Sequence, residues 1–124
     1  MKFIYLSLFF ICCSCLTTER NCANFKTGEF EYIYEVDGKT ATSTFTRNDT
    51  LEIDYHGKHV DSVAVRWIND CEYVLKTINP KTLAQQKAIH IKILSTKGNT
   101  YTFESKIIND PQQRKTRGTV TKIK

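Results

Sequence analysis

The chain has no Cys-x-x-Cys pair, no glycine-rich phosphate loop and no Gly-x-Ser-x-Gly elbow in its 124 residues. Those absences remove the usual signatures of redox, nucleotide-dependent and serine-hydrolase chemistry. It also lacks a long apolar run. The longest, from Phe3 to Cys13, falls far short of the roughly 20 residues a helix needs to cross a ~30 Å hydrocarbon core. No internal repeat or low-complexity segment is visible. Neither sign of charge dominates: 18 Lys and Arg stand against 13 Asp and Glu, a formal net charge of +5. A mild excess of that size serves ordinary solubility and singles out no polyanionic partner.

What the chain does have is five cysteines in two groups. Cys12, Cys13 and Cys15 close the apolar run that follows Met1-Lys2, while Cys22 and Cys71 stand alone in the polar remainder. A short positive start, an apolar stretch and a small polar residue form the pattern of a signal peptide. Ile11-Cys12-Cys13-Ser14-Cys15 resembles the lipobox of a bacterial lipoprotein, and that resemblance implies cleavage before Cys15 and lipidation of its thiol. The expected organisation is a signal peptide over 1–14, a lipidated cysteine and tether over 15–24, and one β-domain over 25–124. The expected location is the cell envelope, anchored by lipid and facing the periplasm, with the membrane as partner through that lipid. Two thiols then remain in an oxidising compartment, which predicts a Cys22–Cys71 disulfide. It would close a loop of about 50 residues, for which the chain-entropy model gives ~4 kcal/mol.

From Phe25 onward apolar residues recur with period two and turn residues punctuate them, the pattern of short strands. Phe30, Tyr32, Tyr34 and Val36 share one face, with Glu29, Glu31 and Glu35 on the other. Asp37-Gly38 is a preferred pair for a type I′ hairpin turn, and Thr40 to Arg47 returns antiparallel. Leu51, Ile53 and Tyr55 alternate, then Val63, Val65 and Trp67, and Cys71 falls in phase with Tyr73 and Leu75. Lys81 to Lys87 is the one stretch with reasonable helix formers and no strand pattern. Ile89, Ile91 and Ile93 make the clearest core stripe, followed by Tyr101, Phe103 and Ile107, and by a last strand over Gly118 to Ile123. The expected fold class is all-β, with about eight short antiparallel strands in an up-and-down meander. A small barrel is preferred because closure removes exposed edges; a β-sandwich is the alternative.

Several blocks carry a resemblance: Arg20-Asn21-Cys22 with Phe25-Lys26-Thr27-Gly28, then Phe45-Thr46-Arg47-Asn48-Asp49, Arg66-Trp67-Ile68-Asn69-Asp70-Cys71-Glu72-Tyr73, and Gly118-Thr119-Val120-Thr121-Lys122. The chain resembles a family of short bacterial envelope lipoproteins, sometimes labelled "DNA topoisomerase IV", with no established activity and a shape similar to lipocalin-like domains. The likeness covers nearly all of the chain after the signal segment. The topoisomerase label fails on physical grounds. Such an enzyme needs a nucleotide site or a strand-cleaving core larger than this domain, and an exported, disulfide-bonded chain lies in the wrong compartment.

Other constellations are weaker. Asp54, His56, His59 and Asp61 gather around one predicted turn and could offer N and O ligands to zinc, but solvated turn residues are the plainer reading and no metal site or cofactor is expected. His90 falls on the polar face of the isoleucine strand. Ser43, Ser62, Ser95 and Ser105 lie in no nucleophile motif, so no enzyme is expected. Arg114, Lys115, Arg117, Lys122 and Lys124 form a basic tail that could meet phosphates or anionic lipid headgroups, but without interleaved aromatics it reads as a charged strand edge, and no nucleic-acid partner is expected. Two function classes remain. One is a non-catalytic binding module for an apolar envelope ligand, lined by Phe30, Tyr32, Tyr34, Trp67, Tyr101 and Phe103. The other is a protein-interaction or inhibitor platform at the cell envelope.

Overall fold

Asp37 and Gly38 both adopt positive φ, 51° and 75°, as a two-residue hairpin turn of the I′ type requires. They join β1 (Gly28–Val36) to β2 (Lys39–Arg47), the first pair of a continuous meander. The structure, a computed structural model, describes residues 18–124, with the backbone alone for Glu35 and Val36. The expected signal segment and Cys15 lie outside the described residues. No helix among them is long and apolar enough to cross a membrane.

The meander continues through β3 (Leu51–His56), β4 (His59–Asn69), β5 (Glu72–Thr77), β6 (Ile89–Lys97), β7 (Thr100–Ile107) and β8 (Lys115–Lys122). Every neighbouring pair is antiparallel, and β8 returns to β1 through Phe30–Lys122, Glu31–Thr121 and Tyr32–Val120, so the sheet is a closed eight-stranded barrel. The barrel is the expected architecture, and the sandwich alternative falls away. Within Lys81 to Lys87 only a short 3-10 turn forms, Ala84–Gln86.

The two ends of the barrel differ. At one end the connections are short, and the 3-10 turn Cys22–Phe25 plugs the opening. The Cys22–Cys71 disulfide, with Cα atoms 5.4 Å apart, ties that plug to the start of β5. Glu19 to Asn21 run beside the end of β6: Thr96 N donates to Glu19 O at 2.9 Å and Arg20 Nε to Leu94 O at 3.1 Å. At the other end the β5–β6 and β7–β8 connections are the long ones, and nothing comparable to the plug lies across the opening among the described residues.

Gly118 faces inward on β8. A Cβ there would come within 2.7 Å of the Phe103 ring and 2.9 Å of the Tyr32 ring, so the absent side chain is what lets the two rings approach.

Candidate functional site

Inside the barrel, the register of β3 is the reverse of what its apolar alternation implies. The alternation Leu51, Ile53, Tyr55 marks a strand correctly, but those residues face outward. The inward residues are Glu52 and Asp54, because Arg47 pairs with Glu52 and Phe45 with Asp54 across β2. Asp54 in turn pairs with Asp61 and His56 with His59 on β4. Of the predicted turn cluster, the two histidines are exposed and the two aspartates are half-buried. The solvated-turn reading is therefore corrected for Asp54, whose Oδ1 is buried with no hydrogen-bond partner. Among the described residues no group of three or more His, Cys, Asp and Glu is placed to hold a metal.

At the plugged end the interior is filled. Arg47, 4% exposed, reaches inward from the end of β2. Its Nε donates to Glu52 Oε2 at 2.8 Å, Nη1 to the Phe25 carbonyl at 2.9 Å, and Nη2 to the hydroxyls of Tyr73 at 2.9 Å and Tyr101 at 3.4 Å. The two phenol oxygens lie 3.1 Å apart. The guanidinium also lies 5.1 Å from the Phe30 and Phe45 ring centres and 4.5 Å from that of Tyr73. A planar cation with several fixed donors suits such a cage, where each donor finds an acceptor and the faces meet aromatic rings. Burial alone would lower the Arg47 pKa, but Tyr73, Tyr101 and Glu52 more than offset it, so the guanidinium stays charged. Burial raises the Tyr73 phenol well above its usual range, reinforced by Tyr101 and Glu52 and opposed by Arg47, which keeps it protonated.

Asp54 lies one step further from the plug. Burial chiefly, then the neighbouring Glu52 carboxylate, push the Asp54 carboxyl up to about 8; Arg47 opposes the shift and Asp61 adds to it. The interior thus holds a neutral carboxylic acid, able both to donate and to accept, between a charged cage and the open end.

The five residues expected to line a ligand site all face inward, but at different depths. Tyr101 is fully buried in the arginine cage and Phe103 is buried at mid-barrel. Trp67 is half-buried against Tyr73, with its Nε1 unpartnered, and Lys26 lies over its ring at 5.1 Å. Tyr32 and Tyr34 are half-buried and stack at 5.5 Å. Toward the open end the inward side chains become progressively exposed, and a cleft of about 390 Å³ opens at the rim, lined by Ile89, Ser105, Ile107 and Thr116 together with the charged Lys106, Asp110 and Arg114.

Arg47, Glu52 and Asp54 are the interior residues that sequence reasoning missed. One signal was available: Arg47 is two residues beyond Phe45 and therefore on the same face.

Compared with known proteins, the chain matches no family model, no curated protein and no solved structure.

Proposed function

We propose that this chain is a membrane-anchored envelope lipoprotein whose barrel is a non-catalytic binding module for an apolar or amphipathic envelope molecule. The observation that supports it is the gradient inside the barrel. The plugged half is packed with aromatic side chains around Arg47, whereas the open half carries the half-buried Tyr32–Tyr34 stack, the unpartnered Asp54 oxygen and the rim cleft. Aromatic and aliphatic side chains with a few polar groups among them are the composition of a small-molecule site. The anchored part of the reading rests on the lipobox-like Ile11-Cys12-Cys13-Ser14-Cys15 and on the resemblance to envelope lipoproteins. The Cys22–Cys71 disulfide fits an oxidising compartment.

Intact and native mass spectrometry on protein extracted from its own membranes tests both parts, with Cys15→Ala as control. A mass equal to residues 15–124 with acyl chains is expected, together with a noncovalent adduct that Tyr34→Ala diminishes. An unmodified Cys15 would sink the anchor, and a lipidated chain that never carries an adduct would sink the binding module.

A second reading has its own observation. The outward face of β3 is apolar, and Tyr55 pairs with Val60 beside it, 40% and 56% exposed. An exposed apolar stripe on a rigid barrel favours a protein-interaction or inhibitor platform at the envelope. Pull-down of one specific partner, lost in Tyr55→Ser and Val60→Ser, is the outcome that reading expects.

A further inference from the structure

Strand pairing lines up one outward-facing residue from each of β4 to β8 in a single row. Arg66 lies opposite Val74, Val74 opposite His90, His90 opposite Lys106, and Lys106 opposite Lys115. With strands about 4.8 Å apart, the row runs ~19 Å around the wall. It holds basic residues and one valine, and no acid. The neighbouring row toward the plug is opposite in kind. There Glu72, Lys92, Glu104 and Arg117 are successive partners, so the sign alternates at every step. Opposite charges facing each other support a strand pair and like charges weaken it. The same strands therefore carry a self-neutralised row beside one that holds no acid of its own.

The basic row lies along a groove of about 630 Å³ that Ile68 and Ile108 also line. Val74, buried although it faces outward, forms part of its floor. The acid in the groove wall, Asp110, is engaged by Arg114 at 3.2 Å. Lys115 shares Glu104 with Arg117, each at 3.5 Å. Among the described residues, no ion pair involves Arg66, His90 or Lys106.

We propose that this groove seats the phosphate-bearing headgroup of an anionic lipid. Lysine and arginine contact the phosphate, and the isoleucines meet the glycerol and first methylenes. Charge complementarity carries the choice, and the interleaved aliphatic side chains favour an amphiphile over a wholly polar anion. The groove has no Phe, Tyr or Trp on which a nucleotide base could stack.

The test uses the full chain, ¹⁵N-labelled and titrated below the micelle concentration with dihexanoylphosphatidylglycerol, and in parallel with dihexanoylphosphatidylcholine, inorganic phosphate and a tetraglutamate peptide. Saturable amide shifts at Arg66, Val74, His90, Lys106 and Lys115 are expected with phosphatidylglycerol, weakening as salt rises. Arg66→Gln should weaken binding about fivefold, and Arg66→Glu with Lys106→Glu at least tenfold. Lys92→Glu in the alternating row should leave affinity within twofold. Equal binding of phosphatidylcholine, or phosphate or peptide binding as tightly as phosphatidylglycerol, would overturn the proposal. So would phosphatidylglycerol shifts confined to the barrel mouth. An unmodified Cys15 in the mass spectrum would remove the anchor and leave this titration to decide the groove.

Discussion

The same eight strands line two unlike chambers. Near the plug, Phe25, Phe30, Ile93 and Tyr101 are fully buried and Arg47 has an acceptor for each of its three nitrogens, whereas near the open end the inward side chains Tyr34 and Ile107 stay half-exposed. The difference teaches that an eight-stranded barrel does not settle by its strand number whether it is filled. What fills the first chamber is a cross-strand polar network stapled by a disulfide; the second lacks both.

The comparison breaks most severely at the cage. Arg47→Ala strands the buried Glu52 carboxylate without its cation and should cost about 5 kcal/mol in urea unfolding. Replacing both members, Arg47→Met with Glu52→Gln, should recover much of that loss, because a buried pair exchanged for well-packed side chains is often near neutral. Cys22→Ala with Cys71→Ala releases the plug and should cost about 4 kcal/mol by the same method, as expected for closing a sequence separation of 49. Gly118→Val drives a side chain into the rings of Phe103 and Tyr32 and should cost about 3 kcal/mol, with loss of the near-ultraviolet dichroism those rings produce.

Asp54 marks the border between the chambers and makes it sensitive to pH. Its folded pKa, about 8, lies above the unfolded value near 3.8. The stability this carboxyl allows is therefore complete below pH 4 and is lost progressively as pH climbs to about 8, because the unfolded chain releases the proton first. Glu52 and Asp61 sharpen the loss and Arg47 moderates it. Asp54→Asn should be more stable than the parent by an amount that grows over that window in matched thermal melts. At the open end, Tyr34→Ala should change stability by less than about 1 kcal/mol, since the ring is already half in water. A loss there as large as that at Arg47 would show that the two chambers are one core.

Much of the architecture was legible along the chain. Asp37-Gly38 announced its turn because few other pairs accept positive φ at both positions, and Cys22 with Cys71 announced the staple. The site was less legible. Period-two alternation separates two faces of a strand without saying which is inside, so the apolar Leu51-Ile53-Tyr55 gave no warning that Glu52 and Asp54 occupy the interior. Arg47 carried the phase of Phe45, but a charged residue is buried only when partners wait for it, and those come from β3, β5 and β7.

By itself the sequence determined the strands, their turns and the cysteine pair, all of which depend on a few neighbouring residues or on Cys22 and Cys71 being the only cysteines after residue 15. The tertiary structure alone decided that the meander closes, that β3 turns its carboxylates inward, and that four basic residues from distant segments share one row. Those properties depend on register between strands, which is set when every inward side chain must fit the same interior at once.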